Sequence, residues 1–256
     1  MRKRRRLLSA GVLLAAVIGV TACSTPSAGP TPVPTPTNVD LSEVEITDVD
    51  RNGVEYLSGQ DVLDAVLEAI DDAGAVSAVG TFRERADPDG GGTTRRLSFT
   101  VAGTSSRFRA DVTAADVAVS VVVADGRAFV TGNAALAAAL GVPEADGGVV
   151  CLASDDPRVT AWSPAFSPAE LLESMLGERS GVSIEPAADA ATATDTAEFV
   201  IASAGSPIGS LTVSVVGPAV PLSLVVADPR GDADVSFTWG DVPAVTVPTE
   251  VAVPCS

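Results

Sequence analysis

The chain has 256 residues, no histidine, 16 basic against 33 acidic side chains and a net charge of −17. The lack of histidine excludes Ser-His-Asp and Cys-His catalysis, His-bearing zinc sites and HExxH proteases, and with no lysine after Lys3 the Schiff-base and Ser-Lys routes go too. Nucleic acid is excluded as a partner because phosphate binding rests on clustered lysine and arginine, which here occur together only in the first six residues.

That basic cluster, Arg2, Lys3, Arg4, Arg5 and Arg6, leads into an apolar run from Leu7 to Val20 and then into Val20-Thr21-Ala22-Cys23. This is the pattern of a bacterial lipoprotein signal: a basic start held at the cytoplasmic face, an apolar middle, and small residues at the cut. The competing readings are an ordinary secretory signal and a transmembrane helix, but the run falls short of the roughly 20 residues a span needs. Residues 1–22 are expected to be removed. Cys23 becomes the new N-terminus, its thiol carrying a diacylglycerol and its amine a further acyl chain such as palmitate. The mature protein is then held at the outer face of the cytoplasmic membrane by lipid. Its 11 arginines face 33 acids, a charge of −22, so its surface is repelled by anionic headgroups.

Residues 24–38 are a Pro/Thr/Ser segment that favours extended polyproline II geometry and buries nothing, so 23–56 reads as a lipidated tether. Within it, Asp48-Val49-Asp50-Arg51-Asn52-Gly53 matches the first half of a calcium loop. The position for a closing bidentate Glu is Gly59, and Glu55 comes too early. The segment is therefore weighed against a solvated Asx turn, and no metal site is assigned.

From residue 57 the pattern becomes that of a packed domain running to 256. Ser58-Gly59-Gln60-Asp61 resembles a helix start, followed by Val62, Leu63, Val66, Leu67 and Ile70 at helical spacing up to Gly74. A period of two then begins with Val79, Thr81 and Arg83. It continues in Leu97, Phe99 and Val101; in Phe108, Ala110 and Val112; and in Val117, Val119, Val121 and Val123. Turn chemistry at Asp87 to Gly92, Gly103 to Ser106, Thr113 to Asp116 and Asp125-Gly126 spaces these strands as an antiparallel meander.

Asn133 to Leu140 predicts a short helix stopped at Gly141, and Ser167-Pro168-Ala169-Glu170 is a capping box opening a helix through Leu171, Leu172, Met175 and Leu176. A second meander follows in Phe199 and Ile201; Leu211, Val213 and Val215; Leu222, Leu224 and Val226; and Val235, Phe237 and Trp239. Its last turn holds Arg230-Gly231-Asp232, the integrin tripeptide, read here as turn chemistry. The proline-interrupted tail from Val245 to Pro254 reads as an edge strand. Cys151 and Cys255 remain once Cys23 is lipidated. In an oxidising compartment an even pair most often forms a disulfide, the alternative being two buried thiols.

One helix, a meander, further helices and a second meander make an α+β fold. With the lipobox Val20-Thr21-Ala22-Cys23, the Pro/Thr tether and the run Ser77-Ala78-Val79-Gly80-Thr81-Phe82 after an amphipathic helix, the chain resembles the LppX/LprAFG family of actinobacterial lipoproteins, which is similar in fold to the LolA/LolB carriers. The resemblance implies a curved antiparallel half-barrel with helices on its concave face, enclosing an apolar cavity for an acylated lipid or glycolipid that is bound and passed on. For an enzyme only carboxylate chemistry remains, and the 33 acids offer no way to choose a pair, so the chain is read as a non-enzyme without a cofactor. Candidate lining residues are the alternating Phe99, Val101, Val119, Val121, Val213, Val215, Leu224 and Phe237, which serve equally as core. The alternative function is a ligandless extracytoplasmic module contacting a protein partner through its acidic surface.

Overall fold

A computed structural model describes residues 50–85, 94–177, 181–188, 190, 195–228 and 231–255. Cys23, the signal and spacer, Asp48 of the calcium-like loop, the Asp87 turn and Arg230 lie outside these residues.

The order is α1 (Gln60–Asp72), β1 (Val76–Arg85), β2 (Thr94–Thr104), β3 (Arg107–Ala114), β4 (Val117–Ala124), β5 (Arg127–Gly132), α2 (Ala134–Leu140), β6 (Val150–Ala153), α3 (Pro157–Thr160), α4 (Pro168–Leu176), β7 (Val182–Pro186), β8 (Thr196–Ser203), β9 (Ser206–Ser214), β10 (Pro221–Asp228) and β11 (Gly231–Trp239). All eleven strands join one open antiparallel sheet in the order β6-β5-β4-β3-β2-β1-β11-β10-β9-β8-β7. Each half is a meander of strands paired in chain order, with α2 inserted between β5 and β6, and the two halves meet where β1 pairs with β11, Val76 opposite Trp239. The fold is α+β, with helices on one face of this sheet.

Alternation sets the inner face. Leu97, Phe99 and Val101 of β2, Ala110, Val112 and Ala114 of β3, Ala197, Phe199 and Ile201 of β8, and Ala233, Val235 and Phe237 of β11 are buried every second residue. Against them pack Val62, Leu63 and Val66 of α1 and Leu171, Leu172, Met175 and Leu176 of α4 in one continuous core. The helix ends follow local chemistry. Ser167 Oγ accepts from the Glu170 N–H at 3.3 Å with Pro168 in the first turn, and Asn133 Oδ1 accepts from the Leu136 N–H. Helix α1 differs from expectation at its start: its N-cap is Gly59, with no side-chain cap, and Ser58 plays no part.

Strand β1 is out of phase with its sequence reading. Val76, Ala78 and Phe82 face the core, while Val79 is 54% exposed. The inner position between Ala78 and Phe82 is Gly80, where an added Cβ would stand 2.3 Å from Asp234 O. The close approach of β11 therefore removes the apolar marker that would have shown the true phase. Strands β5, β6 and β7 carry no signal long enough to be read from periodicity, and β6 has only four residues.

The tail is not an edge strand. It makes a single parallel bridge, Val150 with Val253, supported by Cys151 N–H to Val253 O at 3.0 Å and Ala252 N–H to Val149 O at 2.8 Å. Upstream of that bridge, Val245, Val247 and Val251 lie against Val122, Phe129 and Cys151 on the face of the sheet opposite the helices. Prolines at 243, 248 and 254 withhold the donors a ladder would need, so the tail crosses as a strap. A disulfide joins Cys151 to Cys255, with Cα atoms 4.7 Å apart. The strap explains why β4, unlike its neighbours, is buried at four consecutive positions, Val121 to Ala124.

Candidate functional site

At the end of the sheet where β1 begins and β11 ends, the helical layer and the strands leave a cleft of about 460 Å³. Its floor is apolar: Val76, Val101, Phe108 and Val123 from the strands, with Ile70 from α1 and Trp239 from the end of β11. The opposite wall comes from the chain between β6 and α4, through Val159 of α3 and Phe166. The Phe166 ring lies against Phe108, tilted by 40°, with ring centroids 5.5 Å apart. The Trp239 indole N–H donates to Pro221 O at 2.6 Å, which fixes the ring at the edge of the floor.

Around this floor the lining turns polar and hydroxylic. Thr104, Ser105 and Ser106 come from the β2–β3 hairpin, Ser154, Thr160 and Ser163 from the crossing segment, and Ser167 from the α4 cap. The lining holds two charged residues, Asp71 and Glu170, and both are exposed. An apolar interior with a few convergent polar groups is the usual make-up of a small-molecule site, and the volume lies within the roughly 300–1,000 Å³ common for such sites.

The wall is pinned by local ion pairing. Asp156 caps α3 by accepting the Arg158 N–H at 2.9 Å, and the Arg158 guanidinium reaches both of its carboxylate oxygens at 2.9 and 2.7 Å. These Arg158 hydrogen bonds, side-chain and backbone, hold the Asp156 carboxyl down to about 2. Arg95 on β2 lies over the Trp162 ring at 4.9 Å and donates to Ala161 O at 3.2 Å, tying the same segment to the sheet.

Of the eight residues expected as lining, Val101 borders the cleft. Phe99, Val119, Val121, Val213, Val215, Leu224 and Phe237 are buried in the continuous core and do not touch it. The hydroxyl rim is not legible in the sequence as a site, because its residues sit in turns, caps and element ends whose convergence depends on the path of the chain over the sheet. In the calcium-like loop, Asn52 Oδ1 accepts the Val54 N–H at 3.0 Å and its amide donates to Ser214 O and Gly217 O, an Asx turn docked on the end of β9. Among the described residues no group of three or more Cys, Asp or Glu side chains stands close enough to hold a metal. Asp232 of the integrin-like tripeptide pairs with Arg83 at 3.0 Å and with Arg96, so its carboxylate is engaged within the sheet. No helix among the described residues is long and apolar enough to cross a membrane.

No protein-family model matches the chain, and no curated protein matches it. Among solved structures it is similar to LprF from Mycobacterium bovis, with 12% identity and a TM-score of 0.36 over 75% of this chain and 99% of that one. It is also similar to the LolA superfamily protein NE2245 from Nitrosomonas europaea, with 12% identity and a TM-score of 0.27 over 73% of this chain and 96% of that one.

Proposed function

We propose that this chain is a lipoprotein, anchored through Cys23 at the outer face of the cytoplasmic membrane, whose domain of residues 57–256 holds an acylated lipid or glycolipid and passes it between membrane and outer envelope. The observation that carries this reading is the cleft, with its apolar floor under a hydroxyl rim. An acyl chain laid on Val76, Val101, Phe108 and Trp239 leaves water at about 0.8 kcal/mol per methylene, while its polar head stays among the serines and threonines. The Pro/Thr spacer gives the domain reach from its anchor, and the acidic surface keeps it from lying flat on anionic headgroups. The domain binds and transfers without catalysis, cofactor or nucleic acid.

The test is native mass spectrometry of the protein secreted by a host that acylates lipoproteins, purified from its envelope and then extracted with solvent. A stoichiometric adduct released as acylated lipid supports the reading; bare mass after incubation with envelope lipids rejects it. In parallel, labelled palmitate should enter the wild-type chain and not Cys23→Ala. Label in the variant would reject the anchor.

A further inference from the structure

We propose that the occupant of the cleft is a single-chain amphiphile with an uncharged, hydroxyl-rich head, such as a monoacylglycerol or a singly acylated sugar, and that anionic and two-chain lipids are excluded. This rests on the lipid-holding reading above and narrows it in two respects.

The first is volume. A cavity of about 150 Å³ houses a six-carbon ring, so on that scale 460 Å³ holds about eighteen heavy atoms. That is one long acyl group. A second chain would have to lie outside the cleft, in water, and lose its share of apolar burial.

The second is charge. Among the described residues the charged members of the lining are two carboxylates, Asp71 of α1 and Glu170 of α4, and an anionic head would meet them with no described cation in the lining. The arginines nearest in sequence to the rim are committed elsewhere. Arg107 donates to Val245 O of the strap, on the face of the sheet away from the cleft, and Arg158 is held by both oxygens of Asp156. The N-terminus of α4 borders the cleft with few donors to offer an anion: Pro168 has no N–H and the Glu170 N–H is occupied by Ser167 Oγ, which leaves the Ala169 N–H. What the rim does offer is donors and acceptors in the same groups, the hydroxyls of Ser105, Thr160 and Ser163, which match a polyol.

The experiment uses the full chain carrying Cys23→Ser, so that no acyl anchor competes for the cleft. Its binding of monopalmitoyl glycerol, dipalmitoyl glycerol and palmitoyl lysophosphatidic acid is compared by native mass spectrometry and by displacement of a fluorescent fatty-acyl probe. The expected result is one monopalmitoyl glycerol per chain, bound about tenfold or more tightly than either competitor. Val101→Phe, which fills the floor, should weaken it. The exposed pair Asp71→Asn with Glu170→Gln, which keeps side-chain shape and a glutamine that still suits the capping box, should raise lysophosphatidic acid affinity by about tenfold. Equal or tighter binding of the two-chain or the anionic lipid by the unsubstituted chain overturns this inference and leaves the lipid-holding reading intact. So does monopalmitoyl glycerol binding that Val101→Phe leaves unchanged, or a double substitution that leaves lysophosphatidic acid affinity where it was. No adduct from any of the three overturns both.

Discussion

Phe166 rests against Phe108 where the wall of the cleft meets its floor, ring centroids 5.5 Å apart, and this contact joins the segment that crosses from β6 to α4 to the first strands of the sheet. Both rings face the cavity on one side and the core on the other, so the pair both shapes the site and stabilises the fold.

Phe166→Ala should therefore cost about 3 kcal/mol, the low end for a buried Phe, since one side of the ring already borders open volume. Urea denaturation measures the loss. An unchanged midpoint would mean that the crossing segment is not fastened at this point.

The strap should depend on its disulfide. Cys151 and Cys255 are 104 residues apart, and a bridge of that span stabilises by up to about 4.7 kcal/mol in the chain-entropy account. Cys255→Ser with Cys151→Ala should lower the melting temperature and open the chain between Val245 and Val251 to proteolysis while the sheet persists. Circular dichroism together with mass mapping of the cut sites separates those two effects.

The wall of the cleft should be resistant to mild acid. Arg158 holds Asp156 near 2, against an ordinary value of 3.8. A carboxylate depressed in the folded state contributes stability above its unfolded value and loses it as pH falls through the folded one, so this cap weakens between about pH 4 and pH 2. Carbon-detected NMR titration of Asp156 should show a midpoint near 2 that rises toward the ordinary value in Arg158→Gln.

Two hairpins carry alanine in left-handed geometry, Ala115 at φ 55° and Ala204 at φ 50°. Glycine adopts that conformation without the Cβ clash, so Ala115→Gly and Ala204→Gly should each be neutral or stabilising by up to about 1 kcal/mol, where glycine in a strand interior would destabilise. Thermal unfolding of the two single variants decides it.

Features governed by neighbours in the chain were legible in the sequence. The α4 cap needs only Ser167, Pro168 and Glu170, and the stop of α2 needs only Gly141, so both stand where the residues place them. The inner faces of β2, β3, β8 and β11 follow from alternation for the same reason. Features decided by distant chain were not. The phase of β1 is hidden because Gly80 answers to the approach of Asp234 and Val235 on β11. The strap reads as a strand until Phe129 and Val122 are seen to need covering. The cleft depends on where residues 154–166 cross the sheet, and nothing in their own spacing encodes that path.

The seam between β1 and β11 bears on how the sheet assembles. Every other pairing joins strands that follow one another, so each meander can zip up through local loop closure, the longest of these connections in the first half being the one through α2 between β5 and β6. Val76 and Trp239, by contrast, come together only after nearly the whole domain has been made, and the Gly240 N–H then locks onto Ala75 O at 3.0 Å. The contact order of this protein is thus concentrated in one line through the middle of the sheet. Two half-sheets, each with an unpaired β1 or β11 edge, are the species most exposed to misassociation while the chain is still folding.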